Sequence, residues 1–298
     1  MKTKTADIKL NRIVDERCKS CFHKTYERLL NKFQLSQLQK TEFSEYFSRL
    51  IVEGSNMSNL EIQRKLQLKF CLLFGVDDLY MDEKKCSNLI ALDLYKHWQS
   101  KVIQSENPFY MALRLAIAGN IMDYGANHSF NIYEAIERVF HADFAIDHSS
   151  LLKQRIKAAK SILYLGDNAG EIVFDKLFLE ILMHPNVTYA VKGSPIINDV
   201  TLSDAFEVGL DKVADVISNG YNAPSTILEK SSQEFKDHFN AADLIISKGQ
   251  GNLEGLISLN DKRIFFLLMV KCDVIAELLW VPVNSFVVYN SQFINTKI

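Results

Sequence analysis

The sequence predicts an α/β protein, with an all-helical N-terminal domain followed by a Rossmann-like, three-layer α/β/α domain that has a mostly parallel sheet. Two observations lead to this prediction. No proline precedes Pro108, glycine occurs before it only at positions 54 and 75, and apolar residues recur there at helical spacing. From residue 161 onward, short apolar runs alternate with helical segments, which is the pattern of βαβ units. We therefore expect a helical domain over residues 1–155 and the α/β domain over residues 156–298.

The N-terminal half contains several stretches in which apolar residues fall on one helical face. These stretches are 21–33, 43–51, 60–73, 89–94 and 112–122. Their spacing predicts helices, but it does not fix where each helix begins and ends. We expect this half to cover one side or rim of the sheet, so that a cleft forms between the two domains.

The C-terminal half contains six apolar runs of strand length. They are Ile162–Leu165, Val187–Val191, Val213–Ile217, Leu244–Ile246, Ile264–Val270 and Phe286–Tyr289. Helical segments lie between most of them, at 171–183, 202–210, 225–239 and 253–259. Continuous apolar runs are typical of strands buried on both faces of a parallel sheet, and such strands are joined by right-handed crossovers.

Composition excludes several classes of function. The chain has 298 residues, 48% of them apolar, a net charge of −2 and no basic run, so we expect no nucleic-acid partner. No stretch reaches about 20 uninterrupted apolar residues, so we expect no membrane span. An odd number of scattered cysteines behind an N-terminus without an apolar signal core predicts a reduced, cytoplasmic protein. We expect a monomer or a homodimer, although no sequence feature decides between them. The cysteines are Cys18, Cys21, Cys71, Cys86 and Cys272.

Polar residues follow the strands of the predicted sheet at the points where the strands end. The carboxyl ends of parallel strands lie along one edge of a sheet, so we expect these residues to converge on one crevice there. They are Asp167 and Asn168 after the first strand, Lys192 and Asn198-Asp199 after the second, Ser247 to Asn252 after the fourth, and Lys271 after the fifth.

Asp167, Asn168 and Asp199 form a candidate set of oxygen ligands. Carboxylate and amide oxygens favour Mg²⁺, Mn²⁺ or a similar hard cation over zinc. The alternative interpretation is structural, because Asp and Asn are also favoured in turns and as helix caps. Asp199 could likewise cap a helix that starts near residue 202. Both interpretations stay open for each residue taken singly.

Lysines and glycines at the same edge suit an anionic ligand. Lys192, Lys248 and Lys271 provide point charges for phosphate oxygens, and Gly249 and Gly251 let backbone N–H groups approach an anion closely. A lone lysine at a strand end is usually only solvated. Their convergence with the candidate cation ligands favours phosphoryl chemistry, in which an enzyme mainly positions groups and neutralises charge.

Six motifs of the chain resemble those of the metal-dependent damage-control phosphatases. They are RCKSCFHKTYERLL, LRLAIAGNIMDYG, GDNAGEIVFD, KGSPIINDVTLSDA, SKGQGNLEG and LLMVKCDVI, in family order over roughly residues 18 to 280. This family was long catalogued as a domain of unknown function, and its eukaryotic branch was once proposed to be an acidic-residue methyltransferase. The resemblance is to the prokaryotic branch, which often has cysteines where Cys18 and Cys21 stand.

The resemblance implies hydrolysis of phosphate monoesters of a small metabolite, either a sugar phosphate or a damaged phosphometabolite. It also implies one divalent cation, Mn, Co, Ni or Mg, held by Asp167, Asn168 and Asp199. The residues matched to catalytic positions are Asp167, Asn168, Lys248 and Lys271. Those matched to positions around the substrate are Asn120, Asp123, Glu171, Lys192, Gly249 and Asn252.

The chain departs from the family pattern at two places. Lys192 stands before the Gly-x-Pro element and preserves charge, but a lysine cannot bind bidentately as an arginine would. Pro108-Phe109-Tyr110 replaces the acidic segment expected before the AGN element, which affects substrate preference more than chemistry. Attack on phosphorus by water and attack by Asp167, through an aspartyl-phosphate, both remain open.

Two other functions remain as alternatives. A methyltransferase that uses S-adenosylmethionine on carboxylates would need a glycine-rich adenosyl loop, and the sequence has no convincing one. A non-catalytic phosphometabolite-binding protein would keep the lysines and glycines but would not need the cation ligands. The glycines at 249, 251 and 255 do not form GxGxxG, which argues against a nicotinamide-dependent oxidoreductase. No GxxxxGK[ST] motif occurs, which excludes a P-loop nucleotidase. Cys18 and Cys21 are expected to be core cysteines. A closed zinc site needs four ligands, and the sequence has no second cysteine pair to complete one.

Overall fold

The computed structural model describes residues 15–54, 57–119, 136–137, 142–290 and 292. The described residues of the N-terminal half form the helices α1 (Glu16–Lys32), α2 (Gln37–Glu53), α3 (Asn59–Phe74), α4 (Met81–Gln104) and α5 (Pro108–Ala118). Side-chain caps set several of these starts, and the Ser36 hydroxyl accepts the N–H of Gln39 in a capping box at the start of α2. Pro108 stands at the first position of α5, where its missing N–H costs no hydrogen bond.

The remaining helices lie in the sheet half of the chain. They are α6 (Ser149–Ala158), α7 (Glu171–Leu182), α8 (Leu202–Glu207), α9 (Gln233–Ala241), α10 (Gly249–Leu256) and α11 (Asp273–Leu279). Short 3₁₀ turns follow at Leu210–Lys212, Leu228–Lys230 and Ile257–Leu259. No helix in the described part of the chain is both long enough and apolar enough to cross a membrane.

The sheet has seven strands, in the order β1-β7-β6-β5-β2-β3-β4. They are β1 (Phe144–Asp147), β2 (Ile162–Leu165), β3 (Val187–Val191), β4 (Asp215–Ser218), β5 (Leu244–Lys248), β6 (Ile264–Met269) and β7 (Phe286–Asn290). Every neighbouring pair is parallel except β6 and β7. The predicted mostly parallel sheet is therefore confirmed, and the carboxyl ends of β2 to β6 share one edge.

Helices cover both faces of the sheet, which confirms the predicted three-layer arrangement. Along β2, Ile162 and Tyr164 join the core formed with α4, α5, α6 and α7, whereas Leu163 and Leu165 join the core formed with α9, α10 and α11. This alternation follows from the pleat of a strand, which sends successive side chains to opposite faces. The helices α4 and α5 of the N-terminal half pack on α7 and so belong to the first layer.

Helices α1, α2 and α3 have a separate core of their own, rich in aromatic rings. Tyr26, Phe43 and Phe70 lie at its centre, and their ring centroids are 5.2 to 6.1 Å apart. This three-helix group, which we call the α1–α3 bundle, contacts the sheet half through polar pairs. Arg64 of α3 donates to Asn222 at 2.8 Å, and Tyr221 donates to Glu61 at 2.7 Å.

The largest differences between the structure and the sequence prediction concern three elements. Strand β1 was not predicted, although it pairs with β7, because its alternately buried pattern is too short to stand out. The helix predicted over 225–239 begins only at Gln233, because the Ser232 hydroxyl caps it by accepting the N–H of Phe235. The helix predicted from 253 begins at Gly249, directly after β5. The limits of the two domains stay a prediction.

The order of the strands creates a topological switch point between β2 and β5. From β2 the chain moves outward through β3 to β4, then returns to β5 on the other side of β2 and continues to β6. The loops that leave β2 and β5 therefore diverge in opposite directions. In open α/β sheets, ligands bind in the crevice that this divergence opens outside the carboxyl ends of the strands.

Candidate functional site

The turn after β2 and the loop after β3 are joined at the switch point. Asn168 and Asp199 form an isolated antiparallel bridge. The N–H of Ala169 donates to the carbonyl of Asn198 at 3.0 Å, and the N–H of Val200 donates to the carbonyl of Asp167 at 2.9 Å. Residues that are about 30 positions apart in the chain are thus fixed side by side, as expected of two loops at one sheet edge. The structure brings together all three predicted cation ligands.

Three carboxylates crowd this point. Asp167, Glu171 and Asp199 are all buried. Burial raises the pKa of Asp167 well above its usual range, and the charges of Glu171 and Asp199 raise it further, whereas Lys271 and Lys192 act in the opposite direction. The negative charges outweigh the positive ones at the Asp167 carboxylate. An additional cation at this position would relieve the repulsion.

Gly249, the first residue of α10, lies directly against Asp167. A Cβ atom at position 249 would stand 2.0 Å from Oδ2 of Asp167, so no other residue fits there without displacing the carboxylate. The backbone of Gly249 is also left-handed, with a φ of 78°. From the sequence we expected this glycine to let an anion approach the backbone. Its observed contact is with the first predicted cation ligand.

The side chain of Asn168 is held by two carboxylates. Its amide nitrogen donates to Oδ2 of Asp167 at 2.9 Å and to Oε2 of Glu171 at 3.4 Å. With its nitrogen turned to these acceptors, the amide presents its oxygen as the atom that a cation would bind. Glu171, matched by the resemblance to a position near the substrate, therefore also orients a predicted cation ligand.

Lys248 lies beneath the site, completely buried at the end of β5. Its ammonium contacts Glu171 Oε1 at 2.6 Å, Asp175 Oδ1 at 2.5 Å and the carbonyl oxygen of Ala116 at 2.8 Å. An ammonium has three N–H donors, and these three acceptors use them all. Burial opposes the charged form, but Asp175 and Glu171 outweigh it and raise the pKa of Lys248, so this lysine is charged.

Asp175, which was not among the predicted site residues, extends the same network into the core. Both of its oxygens accept a tyrosine hydroxyl, from Tyr164 at 2.7 Å and from Tyr189 at 2.8 Å. Burial and the neighbouring carboxylate raise the pKa of both tyrosines well above the usual value, so both remain donors. A signal was present in the sequence, because Asp175 interrupts the apolar run of α7 four residues after Glu171, on the same helical face.

The other two predicted lysines lie nearer the predicted ligands. The ammonium of Lys192 is 3.3 Å from Oδ2 of Asp199 and donates to Oδ1 of Asn252 at 3.2 Å. Lys271 is partly buried, and its charge acts on Asp167. Asn252 donates in turn to the carbonyl of Gly166 at 3.2 Å, which ties α10 to the end of β2. The described part of the chain therefore gathers the predicted lysines and Asn252 around the three carboxylates.

A divalent cation fits the residues present at this edge. Within the described ranges, no three His, Cys, Asp or Glu side chains are grouped so that they could hold a metal ion. A cation here therefore depends on the amide of Asn168 beside the carboxylates of Asp167 and Asp199. Such an all-oxygen set suits a hard divalent ion. Burial and the neighbouring carboxylates, which raise the pKa of Asp167, disfavour its ionised form, and a bound cation would offset both effects.

Two residues that the resemblance placed around the substrate, Asn120 and Asp123, lie outside the described residues. Gly119, immediately before Asn120, packs against the site, because a Cβ atom there would stand 3.0 Å from Cα of Glu171.

The segment Pro108-Phe109-Tyr110, which replaces the expected acidic stretch, begins α5. Its Phe109 packs on Phe178 with ring centroids 5.7 Å apart. Phe109 therefore contributes to the core.

Cys18 and Cys21 are free thiols; Cys18 is partly buried, but Cys21 is exposed, so the prediction of a core cysteine is wrong for Cys21. Burial raises the pKa of Cys18 to about 12 and also raises that of Cys21. Thiols with raised pKa values stay protonated near neutral pH, which makes them poor nucleophiles and poor metal ligands.

Residues 14–286 match the family model of the damage-control phosphatase ARMT1-like domain. Similar curated proteins come from archaea. One is a damage-control phosphatase of Pyrococcus horikoshii, 37% identical over 230 residues, which cover 76% of this chain and 79% of the relative. Another is a damage-control phosphatase of Archaeoglobus fulgidus, 32% identical over 243 residues, which cover 78% of this chain and 83% of the relative.

An uncharacterized protein of Methanocaldococcus jannaschii is 38% identical over 223 residues, which cover 70% of this chain and 72% of that protein. Among solved structures, the fold is similar to the crystal structure of a DUF89 family protein from Pyrococcus horikoshii. The TM-score is 0.84 at 32% sequence identity, and the match covers 94% of this chain and 99% of the other. The helical half and the sheet half are thus matched together.

Proposed function

The chain belongs to the family of damage-control phosphatases with an ARMT1-like domain, and on this premise we propose that it is a divalent-metal-dependent phosphatase. Family membership and the names of two relatives support a phosphatase that acts on damaged metabolites. The finer proposal is that the enzyme hydrolyses phosphate monoesters of small metabolites, either sugar phosphates or damaged phosphometabolites. It would do so in the cytoplasm, as a monomer or homodimer, with Mn, Co, Ni or Mg.

One observation carries the proposal. Asp167, Asn168 and Asp199 meet at the switch point of the sheet, in a bridge between two loops, with the lysines at 192 and 271 beside them. Buried carboxylates are costly unless something compensates their charge. A bound cation and a phosphate together would compensate both the buried carboxylates and the lysines beside them.

The predicted ligands would hold the cation through Asp167, Asn168 and Asp199. When bound, a divalent cation polarises a phosphate oxygen and lowers the pKa of a bound water. Glu171 keeps the amide of Asn168 turned correctly, and Gly249 leaves room for the carboxylate of Asp167. Because these side chains are buried, little bulk water screens their charges.

The lysines divide into two roles. Lys192 and Lys271 act directly, placing positive charge where the transferring phosphoryl group would lie. Lys248 acts at one remove, because its three donors are directed to Glu171, Asp175 and a backbone carbonyl. We therefore treat Lys248 as a positioning residue that fixes Glu171, and through it Asn168.

In the proposed reaction a nucleophile attacks phosphorus while the bond from phosphorus to the ester oxygen breaks. The leaving oxygen takes up a proton, and the products are an alcohol and inorganic phosphate. If water is the nucleophile, it loses its proton to a base or to solvent during attack. If Asp167 is the nucleophile, a second attack by water on the aspartyl-phosphate returns the free carboxylate. Both routes require Asp167.

The first test is hydrolysis of p-nitrophenyl phosphate by the purified full-length chain. We expect activity with Mn²⁺, Co²⁺, Ni²⁺ or Mg²⁺ and its loss in EDTA, restored by adding back the metal. Hydrolysis that persists in EDTA would contradict metal dependence. Absence of hydrolysis together with phosphate-ester binding would instead favour a non-catalytic binding protein, and binding of S-adenosylmethionine would favour the methyltransferase alternative.

A panel of sugar phosphates in the same assay tests the substrate class. We expect kcat/KM to differ between sugar phosphates by at least about tenfold, because a site that hydrogen-bonds the sugar hydroxyls discriminates against analogues that leave its polar groups unpaired. Equal rates for every ester, including p-nitrophenyl phosphate, would contradict a site built for sugars.

A further inference from the structure

Helix α4 presents two buried polar side chains one turn apart, on the face that it turns toward the sheet half. Lys84 and Asn88 are four positions apart, so they share one helical face. Both are buried, and Asn88 is completely so. Helix α4 otherwise packs on α7 with apolar residues such as Ala91 and Leu94. Polar groups buried among apolar contacts need an explanation.

Asn88 holds the turn that carries Asp167 and Asn168. Its side-chain oxygen accepts the N–H of Gly170 at 2.7 Å. Gly170 is the N-cap of α7, and no side chain of its own turn caps this helix. The amide of Asn88 thus supplies from another helix the acceptor that an N-terminal N–H group of α7 requires. Gly170 lies only two residues from Asn168, so this bond anchors the turn itself.

Lys84 holds the loop that carries Asp199. Its ammonium is 2.8 Å from Oδ2 of Asp204 and 3.1 Å from Oδ2 of Asp78. The same oxygen of Asp204 accepts the N–H of Thr201 at 2.9 Å and its hydroxyl at 2.7 Å. Thr201 is two residues after Asp199. Burial opposes the charged form of Lys84, but the two aspartates outweigh it and raise its pKa.

The two anchored loops are the ones that the bridge between Asn168 and Asp199 joins. One helix of the N-terminal half therefore contacts both loops of the predicted cation site. The neutral amide of Asn88 holds one loop, and the ammonium of Lys84 holds the other. Neither Lys84 nor Asn88 belongs to the site network formed by the residues after β2, β3 and β5. Asn88 acts through the backbone N–H of Gly170, and Lys84 acts through the carboxylate of Asp204.

We propose that Asn88 and Lys84 are positioning residues, and that helix α4 uses them to set the separation of the two loops that supply the cation ligands. This proposal rests on the proposed function, because it takes Asp167, Asn168 and Asp199 to be those ligands. The alternative is that Asn88 and Lys84 only satisfy buried polar groups and so contribute to stability alone. A second polar contact between the same helices makes the two ideas separable.

The matched contact lies at the other end of α7. The hydroxyl of Tyr95, on α4, donates to Oε2 of Glu180, and Gln99 donates to the same oxygen at 3.1 Å. This contact joins α4 to α7 just as Asn88 does, but Glu180 is nine residues after Glu171 and far along the helix from the site. Tyr95→Phe is therefore the control for Asn88→Ala.

The experiment compares wild type, Asn88→Ala and Tyr95→Phe as full-length, metal-free proteins. Mn²⁺ is titrated into each by calorimetry, and thermal unfolding is recorded without the metal. We expect Asn88→Ala to raise the Mn²⁺ dissociation constant by about 10- to 100-fold, as loss of supporting contacts around a metal site does. Tyr95→Phe should leave it within about twofold, even if both variants unfold at similar temperatures.

Hydrogen exchange gives a readout that needs neither metal nor activity. In Asn88→Ala the amides of residues 166–171 should exchange faster, because the acceptor of the Gly170 N–H is gone, whereas Tyr95→Phe should leave that segment unchanged. If Asn88→Ala does not fold, Asn88→Ser is the milder variant. For the second loop, Lys84→Met should weaken Mn²⁺ binding and Lys84→Arg, which keeps the charge, should restore most of it.

Equal Mn²⁺ affinities in Asn88→Ala and Tyr95→Phe, with wild-type exchange of residues 166–171, would overturn the positioning role. That outcome would leave the proposed function intact, because wild type would still bind Mn²⁺ and hydrolyse p-nitrophenyl phosphate. If wild type itself binds no divalent cation, the proposed function fails. The exchange experiment then still reports whether Asn88 anchors the turn.

Discussion

The α1–α3 bundle and the carboxyl edge of the sheet bury polar groups in opposite ways. Among the described residues of the bundle, Gln67 is the buried polar side chain, and no charged side chain there is buried. At the sheet edge, buried charged side chains lie where β2, β3 and β5 end and on α7, the helix that follows β2. They are Asp167, Glu171, Asp175, Lys192, Asp199 and Lys248.

The proposed site accounts for this difference between the two regions. Burying an ion costs several kcal/mol unless it is paired and hydrogen-bonded, so a core built only to fold avoids it. The bundle follows that rule and packs rings such as Phe43 and Phe70. The sheet edge carries the cost of charge burial, as expected where charge performs chemistry.

The largest loss of kcat/KM is expected for Asp167→Ala, and the comparison variant in the bundle is Gln67→Leu. Loss of a cation ligand or nucleophile should reduce kcat/KM by about 10³-fold or more. Gln67→Leu removes a buried polar group of the α1–α3 bundle and should leave kcat/KM unchanged. Steady-state kinetics with saturating Mn²⁺ measures both. Full, metal-dependent activity in Asp167→Ala would exclude both routes of attack on phosphorus.

Two ion pairs of equal length provide the next comparison. Lys248 lies 2.5 Å from Asp175 in the buried network, and Lys69 of the bundle lies 2.5 Å from Glu42 at the surface. Lys248→Met should lower the free energy of unfolding by about 3–5 kcal/mol, because it leaves two carboxylates buried without their cation. Lys69→Met should lower it by less than about 1 kcal/mol. Urea denaturation distinguishes them, and similar losses in the two variants would contradict the assigned burial.

A smaller contrast concerns two buried tyrosine hydroxyls. Tyr189 donates to the carboxylate of Asp175, whereas Tyr26 in the bundle donates to the carbonyl of Gln63 at 3.3 Å. Hydrogen bonds to charged groups are stronger, so Tyr189→Phe should lower the free energy of unfolding by about 1.5–3 kcal/mol and Tyr26→Phe by about 0.5–1.5 kcal/mol. The reverse order in denaturation experiments would show that Asp175 does not depend on its hydroxyl donors.

The smallest effect on stability is expected for Glu254 on α10, an acidic residue of the sheet half that does not belong to the buried charges at the sheet edge. Burial raises its pKa from the ordinary value of 4.5. The folded protein then binds the proton more tightly than the unfolded chain, so the stability of the wild type falls as pH rises from about 4.5 through the raised pKa. Glu254→Gln removes this loss, and its gain in unfolding temperature over wild type should grow with pH. A gain that stays constant from pH 4.5 to 8 would contradict the raised pKa.

Much of the site was predictable because it depends on where strands end. Apolar runs located β2, β3, β5 and β6, and parallel strands bring their carboxyl ends together, so the meeting of Asp167 with Asp199 followed from topology. The antiparallel β7 did not disturb this prediction, because it lies beyond β6. The resemblance added the roles of individual residues, which strand order alone does not give.

Other features of the site depend on the direction in which a side chain points, which the apolar periodicity of the sequence and the spacing of residues do not determine. Lys248 ends a strand like the other lysines, but its ammonium turns inward to Asp175. Asn88 and Lys84 lie in a helix of the other half, more than 80 residues before the loops that they hold. Such long-range polar contacts leave no periodic trace in the chain, and the packing of α4 on α7 and α8 brings them together.

The most direct test of the account is calorimetric titration of Mn²⁺ into the metal-free, full-length chain and into Asp199→Ala. The account predicts one Mn²⁺ bound per wild-type chain and a dissociation constant at least about 100-fold higher in the variant. Asp199 lies in the loop after β3, so this loss would show that residues from two separate strand ends grip one ion. Equal affinity in the two proteins, or no binding by wild type, would contradict it.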